Sequence, residues 1–395
     1  MKSRLLLAVL IAVAAPLMAG TQYTVIGNAT SNGARGAGGP LVRSGSFLFG
    51  ASRYGGSNGF GSIFSFNPAT GNYTLHHSFT GAAGGFDPLS GVVKATDNKL
   101  YGVAFGGGAN SQGTLFRIDL NGANFQTQRS FAAASGGAPE STPIQAADGK
   151  LYGVTGTGGN GFGGIYRVDL DGTNYSLIHT FNGTAMSPFG KGAGCGGVVE
   201  GPDPTMLYGC TRTGGNPNDT GVFFVATKNG GGGYNFMHSF DAPGLNKPCN
   251  RLLLASDGYF YGAADEGGAA NKGGIFRMTT SGVEFTVLHE FSNDLDGFGV
   301  YSPLVEGSDG YLYGCASSSS NNMGSVFRMS KDGKSFVTLH RSTASPAAPP
   351  TAPSRCLRSS KTKGFPACST ARHSRRAPPT TAPSSKSRPP SRHRS

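Results

Sequence analysis

The sequence predicts an all-β protein, a β-propeller built from four-stranded repeats of about 52 residues. Three observations predict it. The triplet Leu-Tyr-Gly, or a close variant, recurs at residues 48–50, 100–102, 151–153, 207–209, 260–262 and 312–314, with its aromatics 52, 51, 56, 53 and 52 residues apart. Between triplets the apolar residues alternate with polar ones and are punctuated by Asp-Gly or Gly-Gly turns, the period of short antiparallel strands. No helical period competes after residue 20.

Each unit reads as four strands in order. The first carries the LYG triplet, and a Gly-rich turn follows at Gly55-Gly56, Gly158-Gly159, Gly214-Gly215 and Gly267-Gly268. A second strand reads GSIFSF, GTLFRID, GGIYRVD, GVFFVA, GGIFRM or GSVFRM. After turns such as Asp119–Gly122 and Asp169–Gly172, a third strand reads YTLHHSF, YSLIHTF, FMHSF or FTVLHEF. A closing segment (GVVKATDNK, GVVEG, LLLASDG, PLVEGSDG) then leads back to the next triplet and reads as the fourth strand. One such sheet cannot bury both faces or protect its edges alone, so successive units must pack on one another. A β-solenoid is the rival architecture, and its coils repeat at shorter periods.

The consensus G-T-[VL]-F-R … [FY]-T-[VL]-LH-x-F … P-L-V-x-G-x-DG-x-LYG resembles the GloVer tandem repeat over Tyr23 to His340. That resemblance implies a repetitive exported bacterial protein with a variable C-terminal anchor. It implies no activity and no catalytic residues.

Three regions follow from composition: a signal peptide at 1–20, a repeat domain at 21–341 and a tail at 342–395. Lys2 and Arg4, the apolar run Leu5 to Ala15 and small residues near Ala19 and Gly20 have the form of a cleavable secretory signal, too short for a membrane span. The expected location is therefore secreted or cell-surface. The net charge of +12 resides in the tail, where eleven of the 33 Lys and Arg lie without a single acid. The remaining 22 basic residues face 21 acids, so the body has no electrostatic footprint for nucleic acid.

The tail breaks the repeat after His340. It reads as translation out of frame: codons permitted by Thr380–Ser387, taken one base earlier, spell DGTVFKV, and Cys356–Lys361 can spell PALVE. The alternative is a disordered basic Pro/Ser/Arg-rich linker. With the frame intact, seven blades are expected and the last is incomplete as printed. Tyr23–Asn28 and the segment GPLVRSG after it read as the third and fourth strands of that split blade.

For function, the histidines 77, 179, 238, 289 and 340 (Arg129 in one unit) precede the Phe of LHxF or its lost equivalent. A residue repeated in every blade is spread around the ring, so a structural role is expected. If the LYG strand is innermost, the residues just after it ring one mouth of the channel. Arg53, Tyr54, Phe105, Arg212, Asp265 and Glu266 are thereby candidate contacts to a ligand. Asp265 and Glu266 are the nearest candidates for paired-carboxylate chemistry, but adjacent positions on a strand point apart, so facing each other would require a loop geometry there. No GxSxG, HExxH, Walker or EF-hand motif occurs, and neither a catalytic residue, a metal nor a cofactor is expected. Cys195 and Cys210, flanking one LYG junction, are a candidate disulfide. The reading is an exported non-catalytic repeat protein, an extracellular binding or structural module whose ligand, a glycan or a protein, the sequence does not identify; the alternative is an exported propeller enzyme acting on a polysaccharide or similar polymer.

Overall fold

A computed structural model describes residues 34–341 apart from 38, 160, 182–195, 216–217, 232, 241–243, 293–295 and 318–323. The signal segment, Tyr23–Asn28 and the tail after Arg341 lie outside the described residues. The rest forms six antiparallel sheets arranged as the blades of a β-propeller.

The second blade shows the plan. Val92–Lys94, Lys99–Ala104, Thr114–Asp119 and Gln126–Ser130 pair in chain order, each with the next. The closing segment is therefore the first strand of the blade whose LYG follows it. This corrects the sequence reading of strand phase: the hydrophobic period marks a strand without saying which neighbour it joins. It also moves Val42–Ser44, within GPLVRSG, into the first blade, where it pairs with Phe47–Gly55. In the first, third and fifth blades the first strand is interrupted, and both pieces pair with the same LYG strand. In the third blade, Pro139 lies opposite Thr155 and Ile144 opposite Tyr152.

The closing segment, not the LYG strand, is innermost. Consecutive closing segments approach at backbone distance: a Cβ on Gly39 would lie 2.6 Å from the Ser90 carbonyl carbon, and one on Gly196 would lie 2.7 Å from the Asn250 oxygen. The Thr142 hydroxyl donates to the Ser90 carbonyl (2.7 Å), and Asn250 Nδ2 donates to that of Ser302 (3.0 Å). Blades converge toward an axis, so the strands that meet their own counterparts in the next blade backbone to backbone are the inner ones.

The recurring residues divide between neighbours. On the LYG strand the Leu faces the preceding blade and the Tyr the following one. Thus Leu151 packs with Tyr101, Val103 and Phe131 of the second blade, while Tyr152 packs with Leu207 and Phe224 of the fourth. Period-two alternation on a sheet covered on both faces produces this division. The triplet glycine clears space for a ring on the middle strand; a Cβ at Gly102 would sit 2.5 Å from Phe116 Cζ. The tyrosine hydroxyl donates to the Asp four residues earlier, as in Tyr101–Asp97 (2.8 Å) and Tyr261–Asp257 (2.7 Å), so the Asp-x-x-x-Tyr spacing fixes the turn to the strand. A register shift between the middle and outer strands recurs at one position in every blade, such as Ile165/Tyr166, and adds the local twist a propeller needs.

Candidate functional site

The recurring histidines act between blades. His77 stacks on Phe125 at 3.6 Å between ring centroids, His179 on Tyr234 at 3.8 Å, His238 on Phe285 at 4.5 Å and His289 on Phe336 at 3.8 Å. Arg129 does the same by placing its guanidinium 3.8 Å over Tyr175. Each aromatic opens the outer strand of the next blade. Burial holds His77 and His179 down at about 4. A lowered folded-state pKa means the neutral ring is favoured by folding. That stability is present above the ordinary value of 6.5 and is lost as pH falls from there toward 4. We expect the unfolding free energy, read by denaturant titration, to fall over this window by on the order of 1 kcal/mol per histidine, discounted for partial exposure, and the H77Q/H179Q variant to flatten that slope.

At the inner edge, side chains staple consecutive turns. Glu306 accepts from the Ser256 N–H (2.8 Å) and hydroxyl (2.6 Å), and Gln145 Oε1 accepts from the Thr96 N–H (2.8 Å).

The ligand candidates sit at the opposite end of the LYG strands, and the structure brings them together as two groups. Arg53 grips Asp87 of the second blade with a hydrogen bond from Nη2 to Oδ2 at 2.9 Å and an ion-pair contact of Nε with Oδ1 at 2.7 Å. Its guanidinium also lies 5.2 Å from the Tyr54 ring centre. Burial raises the Asp87 carboxyl, and Arg53 opposes that rise. Phe105 is half-buried beside this pair, its N–H donating to the Asp87 carbonyl (3.1 Å). In the second group Arg212 of the fourth blade pairs with Asp265 of the fifth (2.6 Å). The Tyr301 hydroxyl of the sixth blade interacts with the same carboxylate. Glu266 turns away and pairs with Lys247 of its own blade (2.5 Å). The charges expected to meet a ligand thus join blade to blade or strand to strand.

Sequence reasoning missed Asp87, Glu140 and Tyr301, all on closing segments. Glu140 of the third blade lies against Gly156, where a Cβ would come 2.6 Å from its Oε1, and burial pushes its carboxyl up. The available signal was register: once the closing segment is paired with LYG, these positions fall beside the residues after the triplet. Cys210 carries a buried thiol in the core between the fourth and fifth blades; Cys195 lies outside the described residues. Among the described residues no cluster of His, Cys, Asp and Glu has metal-holding geometry, and no helix is long and apolar enough to cross a membrane.

Solved structures share this architecture at low identity. Oligogalacturonate lyase from Vibrio parahaemolyticus is similar with a TM-score of 0.53 and 14% identity, over 79% of this chain and 80% of that one. An oligogalacturonate lyase in complex with manganese is similar at 0.51 and 15%, over 78% of each chain. The GH74 enzyme of Niastella koreensis is similar at 0.50 and 17%, over 78% of this chain and 45% of its own longer one. At such identities the likeness shows the fold alone. No curated protein matches the chain in sequence. The Gloeobacter/Verrucomicrobia repeat model matches residues 36–252 and 194–355, spanning the six blades described above, and the chain belongs to that repeat family.

Proposed function

We propose that this is an exported, non-catalytic binding module whose ligand, a glycan or protein, meets the rim formed after the LYG strands. The observation that carries the reading is the use of the rim charges: Arg53–Asp87 and Arg212–Asp265 hold adjacent blades together. What the rim offers outward is aromatic. Tyr54 is 38% exposed, Phe60 44% and Tyr301 52%. Flat aromatic faces on a rigid scaffold suit the C–H faces of sugars and the apolar side chains of peptides. Residues 1–20 serve export in this reading, and the tail at 342–395 lies outside the domain.

A glycan and peptide panel tests it. Binding without product is expected, and Tyr54→Ala should weaken binding about tenfold, the effect of losing roughly 1.4 kcal/mol of stacking, while leaving the melting temperature within a degree or two. Product released from any polymer overturns the non-catalytic reading. One observation favours that alternative: a carboxyl raised by burial, as at Glu140, is the kind of group that donates a proton to a leaving oxygen. If turnover is found, Glu140→Gln should abolish it.

A further inference from the structure

From the first blade to the fifth, the face turned toward the following blade is covered. Phe49, Tyr101, Tyr152, Tyr208 and Tyr261 are at most 7% exposed, and Ala51, Val103, Val154, Cys210 and Ala263 two residues on are at most 3%. On the sixth blade the equivalent Tyr313 and Cys315 are half-buried. Val305, opposite Tyr313, is 51% exposed, whereas Val93, Ile144, Val199 and Leu253 at the same register are half-buried. The five apolar clusters between blades join the first to the second and so on up to the fifth and sixth. The sixth blade therefore presents a face of the type that the other five bury.

The chain itself carries part of a fitting occupant. Residues 23–26, Tyr-Thr-Val-Ile, match the outer strand Phe285-Thr-Val-Leu288. Their spacing matches too. From the aromatic that opens an outer strand to the next inner-strand residue opposite the LYG aromatic, the separations are 20 (Tyr73 to Val93), 19 (Phe125 to Ile144), 24 (Tyr175 to Val199), 19 (Tyr234 to Leu253) and 20 (Phe285 to Val305). From Tyr23 to Val42, which lies opposite Phe49, the separation is 19. Tyr23 thus holds the phase of an outer strand in a blade that precedes the first. In a closed ring that blade adjoins the sixth.

We infer that the exposed face of the sixth blade is the seat of a seventh blade, with Tyr23–Ile26 as its outer strand and the three inner strands encoded in the alternative frame of residues 342–395. The three hidden segments occur in the required order: PALVE for the inner strand, YGT (which the codons permitted by Ser369–Arg372 can spell in that frame) for the LYG strand and DGTVFKV for the middle strand. By the contact repeated at each junction, Tyr23 stacks on His340 as Phe336 stacks on His289 (3.8 Å). The split is therefore three strands to one, not two to two as the sequence alone read, because GPLVRSG is already part of the first blade.

The thiol of Cys315 reports on the seat. In the full printed chain it should react with a thiol reagent without unfolding, at the same rate with residues 342–395 present or deleted. With the frame restored, the rate should fall at least tenfold and the melting temperature should rise. In the restored chain, Tyr23→Ala and His340→Ala should be less than additive, as should His289→Ala and Phe336→Ala at the reference junction. If deleting the printed tail speeds labelling, the tail as it stands covers the face and the inference fails. It fails equally if frame restoration leaves labelling unchanged, or if Tyr23 and His340 prove additive while the reference pair couples. If the restored chain does not fold, hydrogen exchange on the printed chain decides: faster exchange at 312–316 than at 260–264 is expected, and equal protection overturns the open seat.

Discussion

Replacing Phe181 with alanine is expected to cost roughly 3–5 kcal/mol, a fall in melting temperature on the order of 10 °C. Phe181 is fully buried between the third and fourth blades. Its ring meets Phe224 edge-on at 6.0 Å and His179 at 5.3 Å, and its N–H donates to the Gly163 carbonyl at 3.0 Å. Truncation empties a site bounded by two blades, so neither sheet can collapse alone to fill it. Calorimetry on F181A beside F236A checks this, because Phe236 is 37% exposed and its loss should stay within about 0.5 kcal/mol.

Gly273→Ala should be comparably damaging, at roughly 2–5 kcal/mol, for a different reason. Gly273 opens the middle strand of the fifth blade with φ +74°, and a Cβ there would overlap the Ala264 carbonyl oxygen across the hairpin. Its own carbonyl accepts the Phe291 N–H at 3.0 Å, so the backbone cannot rotate away without losing a buried bond. The same arrangement recurs at Gly113, where φ is +94° and a Cβ would lie 2.6 Å from the Ala104 oxygen. A denaturant midpoint unchanged in G273A would mean that this hairpin tolerates a side chain. Gly45→Ala is the control: its φ is also positive, at +59°, but nothing lies within 4 Å of the added carbon, so only the backbone strain should register.

The strands were legible in the sequence because every local signal was stated six times. Leu100-Tyr101-Gly102 is one strand among many possible ones, but its return every 51 to 56 residues leaves little choice of architecture. The phase of the blade was not legible. Alternation in Gly91–Lys94 says that one side is buried, whereas its choice of the following triplet as partner depends on the connecting turn and on crowding at the axis. The histidine contacts were half legible. Recurrence marked His77 and its equivalents as structural, yet their partners stood in plain view as the Tyr or Phe opening each outer strand. The rim was the least legible. Arg53 meets Asp87 across 34 positions and Arg212 meets Asp265 across 53, and no local pattern announces a contact set by the angle between blades.

Every junction contact has a direction: the histidine belongs to one blade and its ring partner to the next, and Tyr152 and Leu207 differ in the same way. In the language of oligomers, the blades associate head to tail, as heterologous units. The two ends of such a row are complementary to each other and not to themselves. A two-fold dimer through the sixth blade would place like against like and could not reproduce the junction. A head-to-tail partner could, and a row that does not close on itself extends. On this argument an unclosed ring offers two complementary ends, and a closed ring offers none.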